Sequence, residues 1–233
     1  MTTPAKSLLV LGASRGLGLG LVQEYLQRGW NAVGTIRSLQ SAPGLVALRD
    51  AHPGRVEIAT LDITVPADLT RLRDSLHDRQ FDLLFVNAGV ANDPKETIGQ
   101  ISTEEFVRVM VTNTLSPMRA LETLIDLVLP SGTAAMMSSG LGSVANNETG
   151  GWETYRASKA GLNTLMRSFT ARRAGDSRTY LIVAPGWVRT DMGGPNARLD
   201  VETSMRGVAD AIAQRSGHGG LAYVDYTNTP VRW

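Results

Sequence analysis

Tyr155 and Lys159 stand four positions apart in W-E-T-Y-R-A-S-K-A-G, Trp152 to Gly161, a run of good helix formers, so both side chains share one helical face. A phenol beside an ammonium is the beginning of a proton-transfer device. The unperturbed tyrosine pKa is about 10, and a neighbouring cation favours the phenolate, which brings the group towards acid–base work near neutrality. Taken alone the pair means little, because a tyrosine ring covered by a lysine stem is common on helix surfaces. Its meaning depends on what the rest of the chain brings to Tyr155.

A second chemical element lies near the start of the chain. The apolar stretch Ser7 to Leu11 runs directly into Gly12, Ala13, Ser14, Arg15, Gly16, Leu17 and Gly18, and then into an amphipathic segment from Leu19 to Arg28. Strand, glycine turn and helix in that order let backbone N–H groups approach a phosphate, and the helix N-terminus adds a favourable dipole. The spacing G-x-x-x-G-x-G is not the usual G-x-G-x-x-G, but its place at the first strand and helix of an alternating chain points to a dinucleotide. After the next strand, Asn31 to Ile36, the usual fingerprint puts an acidic residue about 20 positions beyond the glycines to hold a ribose hydroxyl. This chain has Arg37. An arginine there suits a 2′-phosphate, and Arg15 inside the turn reaches for the same group, so NADP is expected, with NADPH preferred over NADH.

The elements that must position these groups follow in order. A polar helical segment spans Ser41 to Asp50, and a third strand, Arg55 to Leu61, ends in Asp62 and Ile63. Asp62 is placed either to hold adenine's amino group or to cap a helix from about Pro66 to Arg79. Phe81 to Val86 reads as a central strand that ends in Asn87, Ala88 and Gly89, whose small residues allow close backbone approach. Thr103 to Leu129 reads as a long helix capped at Ser102 or Thr103 and interrupted by Pro117, which cannot bond back to the carbonyl of Asn113. Thr133 to Met137 then delivers Ser138 and Ser139 to a strand end. Alternation makes these two serines point oppositely without saying which of them faces Tyr155. A sixth strand, Arg178 to Ala184, closes on Pro185 and Gly186, and Val188 to Asp191 continues over the cofactor's other end. Gly193 to Val201 is small and polar, the expected site of a short substrate lid. A helix from Glu202 to Arg215, a strand from Leu221 to Tyr226 and a tail to Trp233 complete the chain. Alternating strands and helices throughout predict an α/β fold: a single doubly wound Rossmann domain over residues 1–233, with helices on both faces of a parallel sheet.

Composition removes several function classes. The 23 Lys and Arg nearly cancel the 22 Asp and Glu, so there is no basic excess to meet a phosphate backbone, and nucleic acid is not an expected partner. The absence of cysteine excludes disulfides, thiolate ligands and a cysteine nucleophile. His52, His77 and His218 are too scattered for a zinc site, and no metal is expected. No apolar run reaches membrane length, and Leu8 to Leu11 is too short for a signal-peptide core, so a soluble cytoplasmic protein is expected.

The glycine turn, Asn87-Ala88-Gly89, Asn113, the serine pair, Tyr155 with Lys159, and Pro185-Gly186, in this order over almost the full length, resemble the classical short-chain dehydrogenases/reductases. The S-S-G-L-G-S loop, G-G-W-E-T-Y-R-A-S-K-A and the D-Y ending before a terminal Trp are similar to the C-factor and sniffer-like carbonyl reductase branch. The resemblance implies seven parallel strands, a bound NAD(P)H and hydride transfer between nicotinamide C4 and a carbonyl or alcohol carbon. It implies that Tyr155 is the acid or base, that Lys159 lowers its pKa and holds the nicotinamide ribose, and that Ser139 orients the substrate. It gives Asn113 the main-chain carbonyl that holds a water in the proton relay to Lys159. It places Gly12, Ser14, Arg15, Leu17, Asp62, Ile63, Asn87, Gly89, Pro185, Val188 and Thr190 at cofactor-binding positions. It also implies a homodimer or homotetramer formed through the helices at Thr103 to Leu129 and Trp152 to Arg173.

Three departures stand out. Leu11 replaces a frequent threonine before the first glycine, and Val86 replaces the first asparagine of N-N-A-G. Ser139 and Tyr155 are 16 positions apart, longer than the family pattern, which places the extra residues in the loop Asn146 to Gly151 beside the substrate. The expected function is NADPH-dependent reduction of a carbonyl, or the reverse. The alternative is an NAD(P)-binding signalling or regulatory protein of the C-factor type with little turnover. A nucleotide-sugar epimerase would need a larger C-terminal domain than this chain has.

Overall fold

Leu8, Leu9, Val10 and Leu11 are each at most 1 % exposed, as a strand covered on both faces requires and an unbroken apolar run supplies. The structure is a computed structural model and describes residues 5–233; residues 1–4 of the expected domain lie outside the described residues. The strands are β1 (Ser7–Leu11), β2 (Asn31–Ile36), β3 (Val56–Thr60), β4 (Phe81–Val86), β5 (Val128–Met137), β6 (Thr179–Ala184) and β7 (Gly220–Asp225). Among the described residues these seven form one sheet in the order β3-β2-β1-β4-β5-β6-β7, parallel at every pairing. The helices are α1 (Gly16–Gln27), α2 (Pro43–Ala51), α3 (Pro66–Ser75), α4 (Thr103–Met110), α5 (Ser116–Leu124), α6 (Glu153–Arg172) and α7 (Val201–Arg215).

Strand alternation divides the core. Leu8 and Val10 pack with Leu21 of α1, Leu45 of α2 and Met205 of α7. Leu9 and Leu11 pack with Leu69 of α3, Leu121 of α5 and Leu162 of α6. Each fully buried leucine contributes about 1.5–3 kcal/mol, so a one-residue slip of any central strand would forfeit both layers. The order reverses direction between β1 and β4, and the C-terminal ends of these two strands therefore open the crevice in which a doubly wound sheet binds its ligand. Among the described residues no helix is long and apolar enough to cross a membrane.

Two expected helices differ. The one beginning at Pro66 ends at Ser75, and Leu76 to Arg79 turns back through an Arg79 N–H bond to the Leu76 carbonyl. The long element from Thr103 is divided just before Pro117, as its lack of an N–H predicts. Between α4 and α5 lies a widened π-helical turn, Val111–Leu115, in which the Ser116 N–H reaches back to the carbonyl of Val111. Pro117 thus falls in the first turn of α5, where a missing N–H is tolerated. After α5 and a short 3₁₀ turn, Ile125–Leu127, the chain enters β5 at Val128 rather than Thr133 because Val128 pairs with Phe81.

Candidate active site

The glycine turn is built by close backbone approach. Gly12 has φ of 91°, and a Cβ there would stand 3.0 Å from the backbone of Ala88. A Cβ on Gly18 would lie 2.0 Å from the Gly12 carbonyl oxygen, so only glycine fits. The Asn87 amide donates to that same carbonyl at 2.8 Å, and the Gly12 N–H donates to Thr35 Oγ1 at 3.0 Å. Asn87 thus braces the turn, and Thr35 supplies from β2 a hydroxyl for the main chain beside Leu11. α1 opens at Arg15 with no side-chain cap and no acidic residue in its first turn. Its first N–H groups are therefore available to an anion, which fits a dinucleotide pyrophosphate. Ser14 and Leu17 flank this opening and are half-buried.

The other expected cofactor residues line the same strand ends. Arg37, just past β2, is exposed and forms no hydrogen bond or ion pair with another described residue. Arg15 is also exposed but leans on Asp191, in the segment that follows β6. Asp62 does not cap α3. Its carboxylate accepts from the N–H and hydroxyl of Thr64, at 2.9 and 2.6 Å, because the chain turns tightly there before Val65 starts the helix. The Thr64 hydroxyl, its N–H and the nearby Arg37 cation hold the Asp62 carboxyl below its usual range. Ile63 is buried in the α3 layer of the core, so only its main chain is placed to meet a ligand. Pro185 accepts from Ser204 of α7 at 2.7 Å, and Gly186 has φ of 82°. Val188 is buried, and Thr190 lies against Gly16 of the turn. Residues 193–199 fold back on this segment. Leu199 donates to the Trp187 carbonyl and accepts from Arg189, while Trp187 Nε1 donates to Gly193.

At the end of β5 the two serines separate. Met136 lies in the layer of α6 and Met137 in the opposite one, so Ser138 falls to the α6 side, where it donates to Asn163 Oδ1 at 2.8 Å. Ser139 sits just beyond, half-buried, with its Oγ accepting from the Leu141 N–H at 3.1 Å. Its hydroxyl is close enough to Tyr155 to work against the burial that pushes the phenol up to about 12. Tyr155 is 8 % exposed and meets the half-buried ring of Trp152 edge-on at 5.7 Å. Trp152 itself has φ of 54° and follows Gly150 and Gly151, both also at positive φ, so the longer loop ends in three left-handed residues.

Lys159 reaches the end of β5. Its Nζ lies 5.8 Å from the Tyr155 ring centroid and donates to the Met137 carbonyl at 2.9 Å. Burial pushes Lys159 down to about 8. Asn113 is fully buried in the π-helical turn. Its side chain, not only its main chain, is engaged: Oδ1 accepts from the Val90 N–H, and Nδ2 donates to the Val90 carbonyl and to Ser158 Oγ, at 2.8, 2.8 and 3.0 Å. Asn113 thereby ties α6 to the chain just after Gly89, whose Cα hydrogen faces both Asn113 and Lys159.

Two residues escaped sequence reasoning. Asn163, four beyond Lys159 on the same helical face, holds Ser138 and donates to the Gly142 carbonyl at 3.2 Å. Its i,i+4 spacing from Lys159 was the available signal. Tyr223 of β7 donates its hydroxyl to the Ser139 carbonyl, and no local spacing announces a contact between residues so far apart in the chain.

The fold recurs in known proteins. The model of the short chain dehydrogenase family matches residues 6–199. A crystal structure of a Burkholderia multivorans protein with bound NADP is 51% identical, covers 99% of this chain and all of that one, and has a TM-score of 0.97. The carbonyl reductase Sniffer of D. melanogaster is 29% identical over 99% of this chain and 100% of its own, with a TM-score of 0.89. The C-signal protein of Myxococcus xanthus is 32% identical over 154 residues, 65% of this chain and 92% of that protein.

Proposed function

Because the chain belongs to the short-chain dehydrogenase/reductase family, we propose that it is an NADPH-dependent oxidoreductase that reduces a carbonyl to an alcohol, or runs the reverse, with Tyr155 as the acid or base. The observation that carries this reading is the Ser139 hydroxyl beside the buried Tyr155 phenol at the open end of β5. Two neighbouring O–H groups can donate to a carbonyl oxygen as negative charge develops there. NADPH, when bound, supplies the hydride to the carbonyl carbon. Tyr155 gives its proton to the carbonyl oxygen, and Ser139 keeps that oxygen in place. Lys159, once drawn from Met137 to the nicotinamide ribose, brings its charge towards the phenol and favours proton release. Asn113 holds α6 against the strand ends so that these groups stay aligned, and its carbonyl is the relay point for a water leading to Lys159.

The preference for NADPH over NADH rests on Arg37, which has no partner among the described residues and lies beside Asp62. Arg15 joins it on leaving Asp191, at small cost, since an exposed ion pair is worth about 0–1 kcal/mol. The turn Gly12 to Leu17, with Asn87, Ala88 and Gly89, receives the pyrophosphate and ribose. Pro185, Gly186, Val188 and Thr190 cover the nicotinamide end, and residues 193–201 act as the substrate lid. Val107, Leu115 and Leu165 are large apolar side chains exposed on α4, the π-helical turn and α6, which supports pairing into a homodimer or homotetramer.

The similarity to C-signal keeps a regulatory NAD(P)-binding role as a second reading. Titration of NADPH fluorescence followed by a panel of aldehydes and ketones separates the two. Saturable binding with turnover of at least one carbonyl is expected; binding without turnover of any would favour the regulatory role. Light scattering on the same sample reads the oligomer.

A further inference from the structure

Ser139 is fixed at more points than a loop serine needs. Its carbonyl oxygen accepts from the Gly142 N–H at 2.9 Å and from the Tyr223 hydroxyl, so both lone-pair directions are taken and the peptide plane that follows cannot rotate. Its Oγ accepts from Leu141, which leaves the hydroxyl proton free to be donated. Tyr223 lies on β7, separated from β5 by the whole of β6. Two strand spacings amount to about 10 Å. The Tyr223 ring reaches over β6, and the Ser139 carbonyl beyond the end of β5 meets its hydroxyl.

Tyr223 is in turn held by the segment that follows it. The Val231 N–H returns to the Tyr223 carbonyl at 2.9 Å, and the Trp233 ring meets the Tyr223 ring edge-on at 5.5 Å with the Arg167 guanidinium 4.5 Å from its centroid. The same segment grips the loop beyond Ser139. Ala145 N–H donates to the Trp233 carbonyl at 3.0 Å, and Arg232 donates to Asn146 Oδ1 and the Ala145 carbonyl at 2.8 and 3.2 Å. The loop 143–147 and the ring that fixes Ser139 thus share one brace.

We propose that Tyr223 is a positioning residue for Ser139, and that residues 231–233 are the brace that keeps Tyr223 and the substrate-side loop in register with it. The proposal rests on the reading of Ser139 as the group that holds the substrate carbonyl. Losing the Tyr223 hydroxyl frees the Ser139 peptide to swing, and the serine hydroxyl then spends less time aimed at the reacting oxygen. The ring, its packing and the cofactor cleft are untouched by that change.

The test is a double-mutant cycle in the full chain, read as kcat and KM for a carbonyl that the unaltered protein reduces, alongside the NADPH dissociation constant. Tyr223→Phe is expected to lower kcat about tenfold, the scale of one hydrogen bond, with NADPH binding unchanged. In the Ser139→Ala background the same substitution is expected to have no further effect on kcat, because the group it positions is gone. Equal losses in both backgrounds would overturn the proposal, as would an unchanged kcat in Tyr223→Phe. If Tyr223→Phe fails to fold, the cycle is run with Trp233→Ala, which removes the brace from a partly exposed site, and the same two outcomes decide. Turnover that depends on Ser139 but ignores Tyr223 and Trp233 sinks this inference alone. Turnover that survives Ser139→Ala, or no carbonyl turnover at all, sinks the underlying reading and this one with it.

Discussion

Lys159 Nζ donates to the carbonyl oxygen of Met137 at 2.9 Å, inside a helix face that is closed to solvent. This bond joins α6 to the last residue of β5, immediately before the two serines, so the same lysine that shares a face with Tyr155 also fixes the strand end opposite it. Its position is costly, because burial disfavours the ammonium and pushes Lys159 down to about 8.

The cost gives a pH signature. Between pH 8 and 10.5 the unfolded chain binds a proton at this site that the folded chain has released, so stability rises with pH through that window and the penalty is complete below it. Lys159→Met removes a penalty of up to about 3 kcal/mol and one carbonyl bond worth about 1 kcal/mol, a net gain of roughly 1–2 kcal/mol at pH 7. The gain should shrink towards pH 10. Tyr155 and Tyr223, both pushed up to about 12, begin to oppose only above pH 10. Urea midpoints at pH 7 and pH 10 check this; a variant less stable than the parent at pH 7 would show that the Met137 bond dominates.

Tyr155→Phe keeps the ring against Trp152 and removes only the hydroxyl. Carbonyl turnover should fall by about 10²–10⁴ while NADPH binding stays nearly intact. Steady-state kinetics and fluorescence titration on one preparation read both quantities, and undiminished turnover would remove Tyr155 from the mechanism.

The two serines should behave as opposites. Ser139→Ala is expected to cost about 10²–10³ in kcat with little change in stability. Ser138→Ala leaves Asn163 Oδ1 without its buried donor and should cost about 1–3 kcal/mol of stability while retaining most turnover. Thermal melts beside kinetics distinguish the pair, and a reversal of the two patterns would exchange their roles.

Arg37→Asp puts a carboxylate where the ribose fingerprint usually has one. The ratio of specificity constants for NADPH and NADH should move towards NADH by about 10- to 100-fold, the scale of a charge-assisted hydrogen bond lost and a repulsion gained. An unmoved ratio would mean that Arg37 does not meet a 2′-phosphate.

The sequence alone determined the parallel sheet, the glycine turn at Gly12 and the approach of Tyr155 and Lys159. Each of these is written in a local period or spacing: unbroken apolar runs of strand length, a glycine where no Cβ fits, a four-residue helical step. The boundaries of β1, β2 and β4 were legible for that reason. What only the tertiary structure decided is every choice between two equally local options. Ser138 turns to Asn163 because Met136 and Met137 are already assigned to opposite core layers, a fact set by α6 and α7 rather than by the serines. Val128 leaves the helix for β5 because Phe81 offers it a ladder, and the widened turn before Pro117 is held by α6, where Asn113 and Thr114 both bond to Ser158. Lys159 shares a helical face with Tyr155 by spacing alone, but burial is a property of the whole fold, and only the fold gives the ammonium the Met137 carbonyl. Tyr223 reaching Ser139 across β6 is the same lesson at its longest range: a contact between strands two apart has no period along the chain to announce it.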